Sequence, residues 1–121
     1  MKRLLLMMLT GVCAFAFVEH ATAHAHLDRA TPAVGSSVHA PPKEVKLWFS
    51  QALEPAFSTI KVLDRNGQAV DSGTKGVDAR DRKLLRTALK PVPPGTYRVV
   101  WRVLSVDTHV SEGEFTFDVV P

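Results

Sequence analysis

Apolar and polar side chains alternate along three segments of this chain, and this alternation constrains the fold more than any other feature. It is clearest in residues 97–104, and it recurs in 45–49 and 115–119. A period of two places every second side chain on the same face of a β-strand. No segment has a sustained apolar period of 3.6 residues with capping residues at its ends, as a helix would. The alternation therefore predicts an all-β fold. The core is expected to use these aromatic residues: Phe49, Phe57, Tyr97, Phe115, Phe117, Trp48 and Trp101.

The segments between these strands supply shorter strands and the turns that join them. Residues 60–63 are expected to form a strand that ends in the turn 64–67, whose Asn-Gly pair is typical of hairpins, with 68–71 as a possible return strand. Residues 72–81 are polar and are expected to form a loop, whereas 83–89 is an ambiguous strand. Six or seven short strands separated by turn signals predict an antiparallel β-sandwich or barrel.

The first 23 residues have the pattern of a secretory signal peptide. Two basic residues precede an apolar run over 4–18, and a small-x-small tripeptide follows at 21–23. The alternative is a membrane anchor, but the run is shorter than the roughly 20 apolar residues that span a bilayer. We therefore expect residues 1–23 to be removed on export to the periplasm. A single domain, 24–121, would remain and would not be inserted in the membrane.

Sulfur is confined to the expected signal peptide, which contains all three Met residues and the only Cys. A lipid anchor on Cys13 is disfavoured because the bulky Val12 precedes it. The domain 24–121 therefore has no disulfide framework, no Cys-rich zinc site and no cysteine nucleophile. A net charge of +3 is too small and too evenly spread for a nucleic-acid surface. Motifs of serine hydrolases, zinc proteases and phosphate-binding loops are also absent, so the sequence does not indicate an enzyme.

His24 and His109 are the candidate metal ligands, together with Asp107. Cleavage after residue 23 would give His24 a free α-amine beside its imidazole, and the two nitrogens can chelate one metal ion. Asp107 and His109 follow the clearest strand, and residues two apart in an extended segment point the same way, with Cα atoms about 6.5 Å apart. Such a nitrogen-rich set with one carboxylate favours Cu(II), whereas Cu(I) prefers the sulfur donors that this domain lacks.

His26 permits a different copper site at the same end of the chain. A chain that begins His24-Ala25-His26 is similar to an amino-terminal copper motif in which the third residue supplies the imidazole. Backbone amide nitrogens complete that chelate, which needs neither Asp107 nor His109. Both modes remain open from the residues alone.

Several segments together resemble the CopC family of periplasmic copper-resistance proteins. They cover nearly the whole of 24–121 and include the start of the domain, one early strand, the late strand, and the loop with the strand that follows it. The matching segments are 24–27, 31–36, 45–50, 94–103, 105–109 and 113–117. The resemblance implies a cupredoxin-like, immunoglobulin-like Greek-key sandwich that binds one Cu(II) ion through the amine and imidazole of His24, Asp107 and His109.

The same resemblance implies a periplasmic copper buffer or carrier in copper homeostasis and resistance, with a CopD-type copper permease of the inner membrane as a partner. Some members have a Met-rich loop for Cu(I), which this domain lacks, and some have a Glu where this chain has Gln51. Gln51 is therefore not expected to be a ligand.

Two other classes of protein are alternatives to a copper buffer or carrier. A lytic polysaccharide monooxygenase also chelates copper through an amino-terminal His, but Asp107 would fill the position needed for oxygen. An immunoglobulin-like interaction module would bind no metal.

Overall fold

A computed structural model describes residues 25–121 of the chain. Within this range, eight β-strands and one short 3-10 helix, Pro55–Phe57, make up the regular structure. The strands are β1 (Leu27–Thr31), β2 (Ser37–Val38), β3 (Glu44–Phe49), β4 (Thr59–Leu63), β5 (Asp71–Val77), β6 (Leu84–Leu89), β7 (Gly95–Leu104) and β8 (Val110–Val119). The expected signal peptide and His24 lie outside the described residues.

The strands form two four-stranded sheets, one in the order β1-β3-β6-β5 and the other in the order β2-β8-β7-β4. Neighbouring strands are antiparallel except for β2 and β8, which run parallel. The chain crosses between the sheets, so the all-β Greek-key sandwich expected from the sequence is confirmed. No helix within residues 25–121 has the length and apolar character needed to cross a membrane.

The core lies between the sheets and uses the alternating faces that the sequence predicts. In β3, Val45, Leu47 and Phe49 are buried while the residues between them are partly exposed. In β7 and β8, the predicted inward faces are likewise buried, except that Trp101 is only partly so. The ambiguous segment 83–89 contains β6, an inner strand whose two leucines at 84 and 85 are both buried.

The prediction of a loop over 72–81 is wrong for 72–77, because Asp71–Val77 forms β5 at one edge of a sheet, whereas 78–81 lies outside the strands as predicted. Its polar residues and glycines carry no alternation, yet the backbone pairs with β6 around an irregularity between Ser72 and Lys75. The buried carboxylate of Asp71 accepts hydrogen bonds from the backbone N–H of Val62 (2.8 Å) and from Lys75 Nζ (2.9 Å). The return strand expected at 68–71 is reduced to a single bridge between residues 63 and 69.

Two aromatic residues lie elsewhere than the sequence predicts. Phe57 is on the 3-10 helix with 66% of its surface exposed, so its expected place in the core is wrong. Trp48 points to the outer face of β3, where the guanidinium carbon of Arg29 lies 3.8 Å from its ring centroid. Trp101 packs across the backbone of Gly113, where an added Cβ would come within 2.5 Å of its ring.

Candidate metal centre

The loop that joins β7 to β8 carries two of the three predicted ligands, and backbone hydrogen bonds close it tightly. The N–H of Ser105 donates to the carbonyl oxygen of His109 at 3.0 Å, and the N–H of Thr108 donates to Ser105 at 2.9 Å. Thr108 has a φ of 72°, which a β-branched residue adopts rarely. The loop therefore reverses the chain within residues 105–109 while the long strands on either side hold its ends together.

Ser105 supports this loop from inside the sandwich, because it is fully buried. Its hydroxyl donates to Oδ1 of Asp107 and accepts from the backbone N–H of His109 at 3.3 Å. One buried side chain thus restrains both candidate ligands. This residue was not singled out from the sequence, since a serine at the end of a strand gives no signal of burial.

The side chains of Asp107 and His109 converge, with Oδ1 of the carboxylate 3.4 Å from Nδ1 of the imidazole. Metal–ligand bonds of about 2.0–2.2 Å at a right angle would place two such donors about 3 Å apart. The pair is partly exposed, at 37% for Asp107 and 46% for His109. The hydrogen bond from Ser105 lowers the pKa of Asp107, partial desolvation opposes this, and His109 lowers it further. The carboxylate is therefore ionised at neutral pH, as a metal ligand must be.

The segment 50–53, called here the linking segment, contacts both the amino-terminal end of the described chain and the 105–109 loop. On one side, the N–H of Ser50 donates to the carbonyl oxygen of His26 at 2.9 Å. On the other side, the N–H of Val106 donates to Ala52 at 3.0 Å, and Leu53 forms a bridge with Ser105. The chain entering β1 and the 105–109 loop therefore lie at the same end of the sandwich.

Of the three predicted ligands, Asp107 and His109 are brought together, while His24 lies outside the described residues. Within residues 25–121, no group of three His, Cys, Asp or Glu side chains has a metal-holding arrangement. His26 is 69% exposed in its side chain, with Nε2 3.5 Å from Oδ1 of Asp28 and Nδ1 3.2 Å from Oγ of Ser50. It is thus oriented towards β1 and the linking segment.

These features define a Greek-key β-sandwich with an exposed aspartate–histidine pair on the loop between its two longest strands. A family model described as the CopC domain matches residues 27–120. Protein YobA of Escherichia coli (strain K12) is 37% identical over 98 residues, covering 80% of this chain and 79% of that protein. Copper resistance protein C of Pseudomonas syringae pv. tomato is 36% identical over 106 residues, covering 82% of each. The chain belongs to the CopC family.

Solved structures of CopC-family proteins are also similar to this chain. CopC from Methylosinus trichosporium OB3b aligns with a TM-score of 0.75 and 39% identity, covering 81% of this chain and 95% of that one. PcoC, a methionine-rich copper resistance protein from Escherichia coli, aligns with a TM-score of 0.70 and 34% identity, covering 81% and 100%. Copper transport protein CutJ of Bacillus subtilis (strain 168) is 29% identical over 98 residues, which are 80% of this chain and only 18% of that longer protein.

Proposed function

We propose that this protein binds one Cu(II) ion through the amine and imidazole of His24, the carboxylate of Asp107 and the imidazole of His109. Its role would be that of a copper buffer or carrier in copper homeostasis and resistance. The observation that carries the proposal is the convergence of Asp107 and His109 on a loop restrained by a buried serine. The names of relatives that are copper resistance and copper transport proteins support the choice of metal.

Ala25 and the linking segment support the proposal that His24 binds the same copper ion as Asp107 and His109. Ala25 is 1% exposed and belongs to the core cluster, so the residue directly after His24 is anchored in the sandwich. The linking segment hydrogen-bonds to His26 on one side and to the 105–109 loop on the other. Ala25 and His26 therefore lie at the same end of the sandwich as Asp107 and His109, which supports His24 as the third residue of the ligand set.

The donor set favours Cu(II) over Cu(I). Two imidazoles, an amine and a carboxylate are the nitrogen and oxygen donors that suit tetragonal Cu(II), whereas Cu(I) is selected by thiolates and thioethers. The chain has no Met or Cys after residue 13. In this respect it differs from the relative described as methionine-rich.

Binding would couple to protons on the nitrogen ligands. An α-amine has an ordinary pKa of about 7.7–8.0 and an imidazole one of about 6.5, so Cu(II) must displace protons from both groups below neutral pH. Asp107 needs no such displacement, because its pKa lies below the ordinary value for aspartate. We expect the apparent affinity to fall as the pH falls, which would favour release of copper in an acidic setting.

Export and cleavage after residue 23 are part of the proposal, because only cleavage creates the amine of His24. The site would then operate in the periplasm. A membrane copper permease of the CopD type is the proposed partner, supported by the similarity of this whole domain to one part of the longer copper transport protein CutJ. No catalytic role is proposed, since Asp107 would take the equatorial position that an oxygen-activating copper site keeps open.

The proposal is tested on protein exported with its own leader, with His24 verified as the first residue by mass spectrometry. Copper(II) sulfate titration with a competing chelator and electron paramagnetic resonance should show one tight site with mixed nitrogen and oxygen ligands. Adding one alanine before His24 should weaken binding more than about 100-fold, since it removes the amine and imidazole pair from a single residue. Unchanged affinity in the extended protein would refute the ligand set.

A further inference from the structure

The amino-terminal tripeptide offers copper a second chelate, and Ser50 contacts two of the atoms that this chelate needs. In that mode, Cu(II) would take the amine of His24, the backbone nitrogens of Ala25 and His26, and Nδ1 of His26. The backbone N–H of His26 donates to Oγ of Ser50 at 3.0 Å. The same oxygen lies 3.2 Å from Nδ1 of His26. One hydroxyl therefore engages both donor atoms that His26 would supply.

The surrounding backbone holds residues 25 and 26 in the sandwich. The carbonyl oxygen of His26 accepts from the N–H of Ser50 at 2.9 Å, and Leu27 pairs with Phe49 at the start of β1. Ala25 is buried in the core. An amide chelate would require the N–H groups of residues 25 and 26 to lose their protons and to turn towards one ion, which would break the hydrogen bond from the N–H of His26 to Oγ of Ser50 and strain these backbone contacts.

We propose that Ser50 is a specificity-determining residue, whose hydroxyl holds His26 away from copper and so directs the ion to His24, Asp107 and His109. This inference rests on the proposed function, because it concerns which of two ligand sets that share His24 is used. The choice between the two ligand sets would also affect how a carrier releases copper. Copper held by backbone amides is released only when those nitrogens regain protons, whereas side-chain ligands on an exposed edge can be exchanged directly with a partner.

The test compares variants at residue 50 with and without a hydroxyl. Ser50→Thr keeps the hydroxyl and adds a methyl group, and Ser50→Val has the same shape as Ser50→Thr with a methyl group in place of the hydroxyl. Ser50→Ala removes the hydroxyl without adding volume. Each exported protein, verified to begin at His24, receives one equivalent of copper(II) sulfate. Visible absorption and electron paramagnetic resonance spectra then give the proportion of amide-chelated copper, because four nitrogen ligands move the absorption band to shorter wavelength.

We expect wild type and Ser50→Thr to give the same mixed nitrogen and oxygen spectrum. Ser50→Val and Ser50→Ala should increase the ratio of amide-chelated to side-chain-bound copper about fivefold to tenfold, the change that matches the loss of one hydrogen-bonding group. In the double variant Ser50→Ala/His26→Ala the imidazole of the amide chelate is gone, so the spectrum should return to that of wild type.

The inference is overturned if Ser50→Ala and Ser50→Val both keep the wild-type spectrum, or if the altered spectrum persists when His26 is also replaced. Thermal unfolding of each metal-free variant confirms that the spectra come from folded protein. Failure of the proposed function has a different signature. It would appear as a wild-type spectrum and affinity that do not respond to His109→Gln, whatever the variants at residue 50 show.

Discussion

The chain carries two His–Asp pairs at one end of the sandwich, and in each pair the two residues are two positions apart in the sequence. The pairs differ in the residues that support them. Nδ1 of His109 is 3.4 Å from Oδ1 of Asp107, and Nε2 of His26 is 3.5 Å from Oδ1 of Asp28. By distance and chemistry the pairs are nearly equivalent. Exposure separates them, since the side chains of the His26 pair are 69% and 53% exposed against 46% and 37% for the His109 pair.

The difference lies in the supporting residues. Ser105 is fully buried and hydrogen-bonds to both members of its pair, within a loop closed by backbone hydrogen bonds. Ser50, by contrast, is only partly buried and hydrogen-bonds to His26, and Asp28 lies where the register between β1 and β3 shifts. A two-residue spacing is enough to bring a carboxylate and an imidazole together. A buried support is needed to hold them there before a metal ion arrives.

The largest expected effect separates the two histidines. His109→Gln should weaken Cu(II) binding more than about 100-fold, because losing a ligand costs more than the 10-fold to 100-fold typical of a supporting residue. His26→Gln, the matched change in the other pair, should alter the affinity less than about threefold. Competition titrations with a copper chelator measure both. Equal losses of Cu(II) affinity in the two variants would contradict the difference between the pairs that Ser105 and Ser50 indicate.

A smaller effect is expected at the serines. Ser105→Ala should lower Cu(II) affinity about 10-fold to 100-fold, as loss of a supporting hydrogen bond does in other metal sites. In the metal-free protein it should reduce the free energy of unfolding by about 1 kcal/mol, since the buried hydroxyl of Ser105 and its partly buried hydrogen bonds to Asp107 and His109 are lost. Ser50→Ala, whose hydroxyl is nearer to solvent, should cost less than about 1 kcal/mol.

Urea unfolding measures these free energies, and chelator competition measures the affinity of the Ser105 variant. If Ser105→Ala changed the free energy of unfolding but left Cu(II) affinity intact, Ser105 would support the fold without positioning the ligands.

The smallest expected effect is on the stability of the metal-free protein at acidic pH. The hydrogen bond from Ser105 lowers the pKa of Asp107, so its ionised form stabilises the metal-free protein above the ordinary aspartate pKa of about 3.9. That contribution is lost as the pH falls through the lower pKa of the folded state. In Ser105→Ala the pKa of Asp107 should rise towards its ordinary value. The gap in stability between wild type and this variant should therefore narrow below about pH 4.

Carboxyl chemical shifts followed by NMR over this pH range report the pKa of Asp107 in both proteins. An unchanged pKa in the Ser105 variant would mean that His109, not Ser105, is the main cause of the lowered value.

Sequence reasoning succeeded where one face of a strand is buried and the other is not. The alternation in β3, β7 and β8 is a direct imprint of such burial, and the strands and their inward faces follow from it. It failed at β5, whose pairing depends on the backbone of β6 and leaves no pattern in the side chains. It also failed at Phe57, because hydrophobicity alone does not say whether a large side chain reaches the core.

For the candidate site, the residues and the spacing of Asp107 and His109 were visible in the sequence, as was the absence of sulfur after residue 13. The sequence by itself thus determined the sandwich and the kinds of donor available to a metal. Only the tertiary structure decided that Ser105 is buried beneath one His–Asp pair and that Ser50 engages His26. Burial and hydrogen bonding between residues distant along the chain arise from how the sheets meet, and a local pattern does not encode that geometry.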